Sequence, residues 1–152
     1  LGSARVQTSA GGPLLIERCV ALPDDIAGGV NAEISRMCAL READPLVKLV
    51  LYKATFLECL ARQVRHMVIG ARSESLVRQY KRLGFSDLHD GAQFELSYAG
   101  NLPHRVLAFD VQSAERRWFE GNHALHGFIF RTHHRDLTLF RDARLDRVAL
   151  AA

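Results

Sequence analysis

Cysteine is scarce in this chain of 152 residues, and its spacing is uninformative: Cys19, Cys38 and Cys59 are odd in number and form no C-x-x-C pair. That excludes a disulfide framework and a cysteine-based zinc module, and it reads as reduced, mostly buried thiols in a cytoplasmic protein. No apolar run approaches the roughly 18 residues that a membrane-spanning helix requires. No charged-then-apolar leader opens the chain. No repeat or low-complexity stretch interrupts it, and lysine is rare, with three residues against seventeen arginines. The net charge of +3 is mild, and 48% hydrophobic residues suffice for a single-domain core. The arginines cluster, at Arg62, Arg65, Arg72, Arg78 and Arg82 beside Lys81, and again at Arg116, Arg117, Arg131, Arg135, Arg141, Arg144 and Arg147. Such clusters suit phosphate or an acidic partner. The second is interleaved with Asp136, Asp142 and Asp146, as on a solvated helix face. No aromatic–basic stacking motif points to nucleic acid.

Local patterns set an order of elements. Residues 1–8 read as a strand already under way, without an initiator Met, as if the chain began inside a domain; an expression scar at Gly2-Ser3 is the alternative. Ala10–Pro13 is a turn, Leu14–Arg18 a short strand or helix, and Asp24–Gly29 a polar loop. Ala32–Leu40 has room for a central strand, although its alternation is imperfect. Asp44-Pro45 opens a helix over about 45–65, with Leu46, Leu49, Val50, Leu57, Leu60 and Val64 at helical spacing. His66–Gly70 is a buried-strand run. Ser73 caps a second helix, Glu74 suits its positive end, and Gly84 terminates it. Ala92–Tyr98 and Arg105–Val111 form a hairpin around Gly100–Pro103. Ala114–Glu120 and Ala124–Phe140 are helical pieces carrying Trp118, Phe119, Phe128, Phe130 and Phe140, which close the core or wall an acyl tunnel. A helix between two adjacent strands implies a parallel pair, and the hairpin adds antiparallel strands. The fold class is therefore α/β with a mixed sheet, residues 1–112 forming the core and 113–152 a helical extension packed on it.

Here the residues resemble a family. Gln79-Tyr-Lys-Arg-Leu-Gly-Phe85 is similar to the Tyr-x-x-x-Gly-Phe pattern that precedes the last hairpin of GNAT acyltransferases. Leu1–Val6 resembles the G-x-x-R-L strand, and Glu33-Ile-Ser-Arg36 the E-[LI]-S-R strand, of N-acyl amino acid synthases and acyl-homoserine-lactone (autoinducer) synthases. The stretch 121–140 is more similar to the N-acyl amino acid branch. The resemblance covers nearly the whole chain and implies a GNAT fold lacking its N-terminal strand and helices. It also implies transfer of an acyl group, long rather than short, from a thioester to the amine of an amino acid or related small amine. The alternatives are an acyl-CoA-dependent GNAT N-acetyltransferase and a non-catalytic GNAT-like domain that binds acyl groups or a partner.

One departure bears on the donor. CoA-dependent members follow the central strand with a glycine loop whose N–H groups hold pyrophosphate. Here Arg41–Leu46 contains no glycine, and Glu42 and Asp44 stand in its place. The expected donor is therefore acyl carrier protein, whose acyl-phosphopantetheine has a single phosphate, with Arg65, Arg72 and Arg78 complementing carrier or phosphate. No permanently bound cofactor is expected.

Aminolysis of a thioester needs a deprotonated amine, a stabilised oxyanion and a protonated thiol. The resemblance places Glu33 as base and Tyr80 as acid at the departing sulfur. Backbone N–H groups of Ser35, Arg36, Met37 and Cys38, freed by a splayed central strand, would meet the thioester oxygen. Arg5 and Arg36 would hold Glu33 or an acceptor carboxylate; read without the family, Glu33 and Arg36 form a structural ion pair and Tyr80 packs in the core. His123-x-x-His126 and His133-His134 have no third ligand near in sequence, so no metal is expected. His134-Arg-Asp136 has the wrong spacing for an H-x-x-x-D acyltransferase.

Overall fold

A computed structural model describes residues 1–134 and Leu137. The elements follow in order: strand β1 (Gly2–Thr8), a 3-10 turn at Ser9–Gly11 and another at Ile16–Arg18, then helix α1 (Asp24–Ala27) and strand β2 (Asn31–Ala39). Helix α2 (Leu46–Ala61), strand β3 (His66–Ala71), helix α3 (Glu74–Arg82) and strands β4 (Ser86–Asp87), β5 (Phe94–Leu96) and β6 (Leu102–Asp110) come next. Helix α4 (Ala114–Glu120) and a π-type turn at Gly127–Arg131 end the described part. The sheet runs β1-β2-β3-β6-β4, and β5 pairs with the first residues of β6, Leu102 to His104, off that path. Only β2 and β3 are parallel, joined by α2; every other pair is antiparallel. This is the mixed sheet expected.

Both faces of the sheet are covered. On one, α2 presents Tyr52, Phe56 and Cys59 at helical spacing to Met67, Ile69, Leu107 and Phe109, and α4 adds Trp118. On the other, the turn-rich stretch 14–26 places Leu14, Ile16, Val20 and Ile26 against Val68, Val106 and Ala108. Phe56 is fully buried and meets Phe109 edge-on at 6.0 Å and Trp118 at 5.7 Å. Phe56→Ala should lower stability by about 3–5 kcal/mol, because transfer and cavity costs add; urea denaturation checks this, and a loss under 1 kcal/mol would mean that the site collapses around the deletion.

The ends of α3 follow from the sequence. Ser73 Oγ accepts the Leu76 N–H at 3.3 Å, and Gly84 takes φ 95°, where a Cβ would also stand 3.0 Å from Phe109. Burial pushes the Cys59 thiol up to about 12, as expected of an inert core cysteine.

Other elements differ from expectation. α2 stops at Ala61 because Gln63 turns left-handed (φ 55°), bringing Arg65 N–H to Val30 C=O at 2.7 Å so that β3 can start. Asp24–Ala27 is one helical turn, begun by the Pro23 carbonyl accepting from Ile26 and Ala27. β5 is short, giving way to a 3-10 turn at Ser97–Ala99, and β6 starts at Leu102, three residues early. Of the expected helix 124–140, the described residues include the π-type turn at Gly127–Arg131; Phe140, Arg135, Asp136 and the basic and acidic residues beyond them lie outside the described residues. That turn is fastened to α2: the buried Lys53 ammonium donates to the Phe128 carbonyl at 2.8 Å and to both oxygens of Thr132. Among the described residues no helix is long and apolar enough to cross a membrane.

Candidate functional site

The site begins with a defect in β2. Against β1, Arg5 faces Ser35 and Ser3 faces Cys38, so Arg36 and Met37 occupy the space opposite the single residue Ala4. Arg36 adopts φ 53° to make this bulge, and a bulge bends its strand. The parallel ladder to β3 accordingly ends at Glu33–Val68, although β2 runs on to Ala39 and β3 to Ala71. The two strands part as a V, and the β3-facing peptide groups beyond Glu33 are left without ladder bonds.

A cavity opens on each side of the V. On the α3 side, about 400 Å³ is walled by Met37, Ile69, Leu76 and Tyr80, with Arg72 at its edge. On the opposite side, about 290 Å³ is walled by Arg5, Leu15, Glu33, Leu96 and Tyr98. The two share Ile34, Ser35, Arg36, Gly70, Ala99 and His104. Gly70 makes the shared wall thin: a Cβ there would stand 2.9 Å from Leu96 Cδ1 and 3.4 Å from His104 Cδ2.

Glu33 is the buried charge of the site, 2% exposed. Its Oε2 accepts the Ile16 N–H at 2.9 Å, while Oε1 is buried beside the Tyr98 phenol without a hydrogen bond of ordinary geometry. A buried acceptor left open is rare and costly unless something else is meant to meet it. Burial, and then the adjacent Glu33 carboxylate, hold the Tyr98 phenol well above its ordinary value. Burial likewise raises the Tyr80 phenol, which keeps it protonated.

The structure brings Glu33, Ser35, Arg36, Met37 and Tyr80 around one opening, with Arg5 and Arg72 on its two sides. It separates others. Neither arginine pairs with Glu33: Arg5 donates to Gln7 Oε1 at 3.0 Å, and Arg36 is exposed on the bulge. The described ion pairs are Arg62–Glu58, Arg105–Glu74 and Arg105–Asp87. Cys38 lies past the opening, its Sγ 3.3 Å from Ser3 Oγ. Arg65 precedes the far end of β3, against Gly29, roughly 16 Å of strand from Gly70 at 3.3 Å per residue. Arg78 lies on the solvent face of α3 and lines neither cavity. Of the three arginines expected at the donor, Arg72 alone borders the site. His123 stacks on Trp118 at 5.2 Å and His126 packs by Phe130 at 5.4 Å. Among the described residues no three potential ligands cluster for a metal.

Gly70, Tyr98 and His104 were not singled out from sequence. For His104 the only signal is a polar residue at an inward position of β6, in register with Val106 and Ala108.

After β2 the loop 40–45 has no glycine, and Asp44 Oδ1 accepts the Leu46 N–H at 2.8 Å. The positive end of α2 is thus capped by a carboxylate, which repels further anions.

A mixed sheet whose parallel central strands part around a bulge, with Gly84-Phe85 following α3, is consistent with a GNAT-like fold. The chain resembles in structure FeeM, an N-acyl amino acid synthase from uncultured soil microbes, with a TM-score of 0.62 over 84% of this chain and 67% of that one, at 19% identity. No protein family matches the chain by sequence profile, and no curated protein matches it in sequence.

Proposed function

We propose that this chain is the catalytic part of an N-acyltransferase that moves a long acyl group from acyl carrier protein to the amine of an amino acid or related small amine in the cytoplasm. The observation that carries the reading is the pair of cavities meeting at the parted β2–β3 strands, one walled by Met37, Ile69, Leu76 and Tyr80 with Arg72 at its edge, the other by Arg5 and Glu33.

The cavity on the α3 side, where Met37, Ile69 and Leu76 line one wall, suits the thioester and the first part of its chain. Peptide N–H groups of Ser35–Met37, unbonded to β3, suit an oxyanion. Arg5 suits an acceptor carboxylate, and Glu33 Oε1 suits its ammonium. Glu33 takes one proton and frees the amine; the nitrogen attacks the carbonyl, the C–N bond forms, and the C–S bond breaks as Tyr80 protonates the sulfur. Asp44 on the α2 terminus and the glycine-free loop favour the single phosphate of carrier-bound phosphopantetheine over the pyrophosphate of CoA, and Arg72 is placed to meet it. The fold similarity to an N-acyl amino acid synthase agrees with this reading.

The deciding experiment incubates the protein with palmitoyl-acyl carrier protein or palmitoyl-CoA and a panel of amino acids and amines, with products read by mass spectrometry. Formation of an N-acyl product from carrier protein alone is the expected result. Product from CoA alone would replace the donor, and binding without product would make the chain an acyl-binding domain. Tyr80→Phe should slow transfer about tenfold to a hundredfold at unchanged melting temperature, since the ring stays packed against Phe85 and only a general acid is lost. An unchanged rate would return Tyr80 to the core.

A further inference from the structure

Aminolysis removes two protons from the acceptor nitrogen, because an ammonium enters and a secondary amide leaves. One reaches the thiol and the other reaches solvent. Glu33 accounts for the first proton, lost before attack. The second leaves once the C–N bond has made the nitrogen cationic, and that nitrogen then sits at the thioester carbonyl, in the opening between the strands.

His104 is the only imidazole that borders this opening among the described residues, and it lines both cavities. It is 9% exposed. Its Nδ1 lies 2.7 Å from the Leu102 carbonyl. A carbonyl only accepts, so Nδ1 carries the hydrogen, and in the neutral ring Nε2 has a free lone pair. Nε2 has no hydrogen-bond partner among the described residues, and it is absent from the buried, unsatisfied atoms that include the ring nitrogens of His66 and His89. His104 Cδ2 and Cβ lie toward Gly70, 3.4 and 3.7 Å from where a side chain there would begin, so the ring borders the shared wall. Orientation fixed by a backbone acceptor, a bare nitrogen and a place in the gap are what a general base needs.

From these we infer that His104 is a second catalytic base, which takes the proton lost by the acceptor nitrogen after the C–N bond has formed. The imidazolium then returns this proton through water to the Tyr80 phenolate left by protonation of the sulfur. One nitrogen proton thus replaces the one delivered to the thiol, and the proton on Glu33 goes to solvent. This inference rests on the acyl-transfer reading above.

The test uses the whole chain with palmitoyl-acyl carrier protein and the best amine acceptor, in single turnover across pH. His104→Gln keeps a donor for the Leu102 carbonyl and supplies no base; His104→Ala leaves room for added imidazole. Both should slow transfer about a hundredfold and alter the shape of the pH–rate profile in a way that Glu33→Gln does not reproduce. Imidazole should restore part of the His104→Ala rate. If either folded variant keeps the wild-type rate or the wild-type pH profile, or if imidazole has no effect on His104→Ala, the assignment is overturned. A wild-type chain that makes no product overturns the acyl-transfer reading, and this inference with it. An active wild type with unaffected His104 variants overturns this inference alone.

Discussion

Glu33→Gln should lower acyl transfer about a thousandfold while the protein melts at nearly the wild-type temperature. The amide is close to isosteric with the carboxylate and keeps an oxygen that can accept the Ile16 N–H, the contact made by Oε2 at 2.9 Å. What it loses is the lone pair that takes a proton from an ammonium, and proton transfer by a positioned side chain contributes about a hundredfold to ten-thousandfold. Glu33→Ala separates chemistry from structure. It also strands the Ile16 N–H in the core and should cost about 1–3 kcal/mol of stability. Paired rate and denaturation measurements on the two variants check this. Full activity in the Gln variant would leave Glu33 a purely structural anchor for the 3-10 turn at Ile16–Arg18.

Gly70→Val should abolish detectable transfer although each substrate still binds. The shared wall of the two cavities passes Gly70, and a Cβ there already crowds Leu96 and His104. The Leu96 contact is the end of a flexible side chain and can yield to alanine, so Gly70→Ala should fold and retain partial activity. The branched side chain of valine fills the gap itself. Calorimetric titration with acyl-pantetheine and with the acceptor, each alone, should give near wild-type affinities beside a lost rate. A valine variant that transfers normally would show that the reacting groups meet elsewhere.

Sequence reading succeeded where a few adjacent residues decide the outcome. Ser73 and Gly84 mark the two ends of α3 because capping and left-handed geometry are local demands. The imperfect alternation of Ala32–Leu40 was itself the trace of the bulge at Arg36: a strand that breaks its own period at one residue cannot pair regularly on both sides. Glu33 and Arg36 do not pair because Glu33 is buried while Arg36 is held exposed on the bulge. Arg65 and Arg78 stand away from the opening because a cluster in sequence spreads over the end of one strand and the outer face of one helix. Gly70 and His104 were not legible, because they meet only through the antiparallel register of β3 with β6, in which Gly70 lies opposite Val106. Tyr98 reaches Glu33 only across the hairpin, more than sixty positions away along the chain.

The parted strands have a kinetic consequence. If the proposed acyl transfer holds, two cavities on opposite sides of the parted strands would let donor and acceptor enter separately. A carrier protein seated over the α3 side would leave the other mouth free, so either partner can arrive first and the acceptor can exchange while the carrier stays docked. On that reading both reactants would be present together at the opening, and steady-state kinetics should show intersecting rather than parallel lines, as for direct transfer without an acylated enzyme.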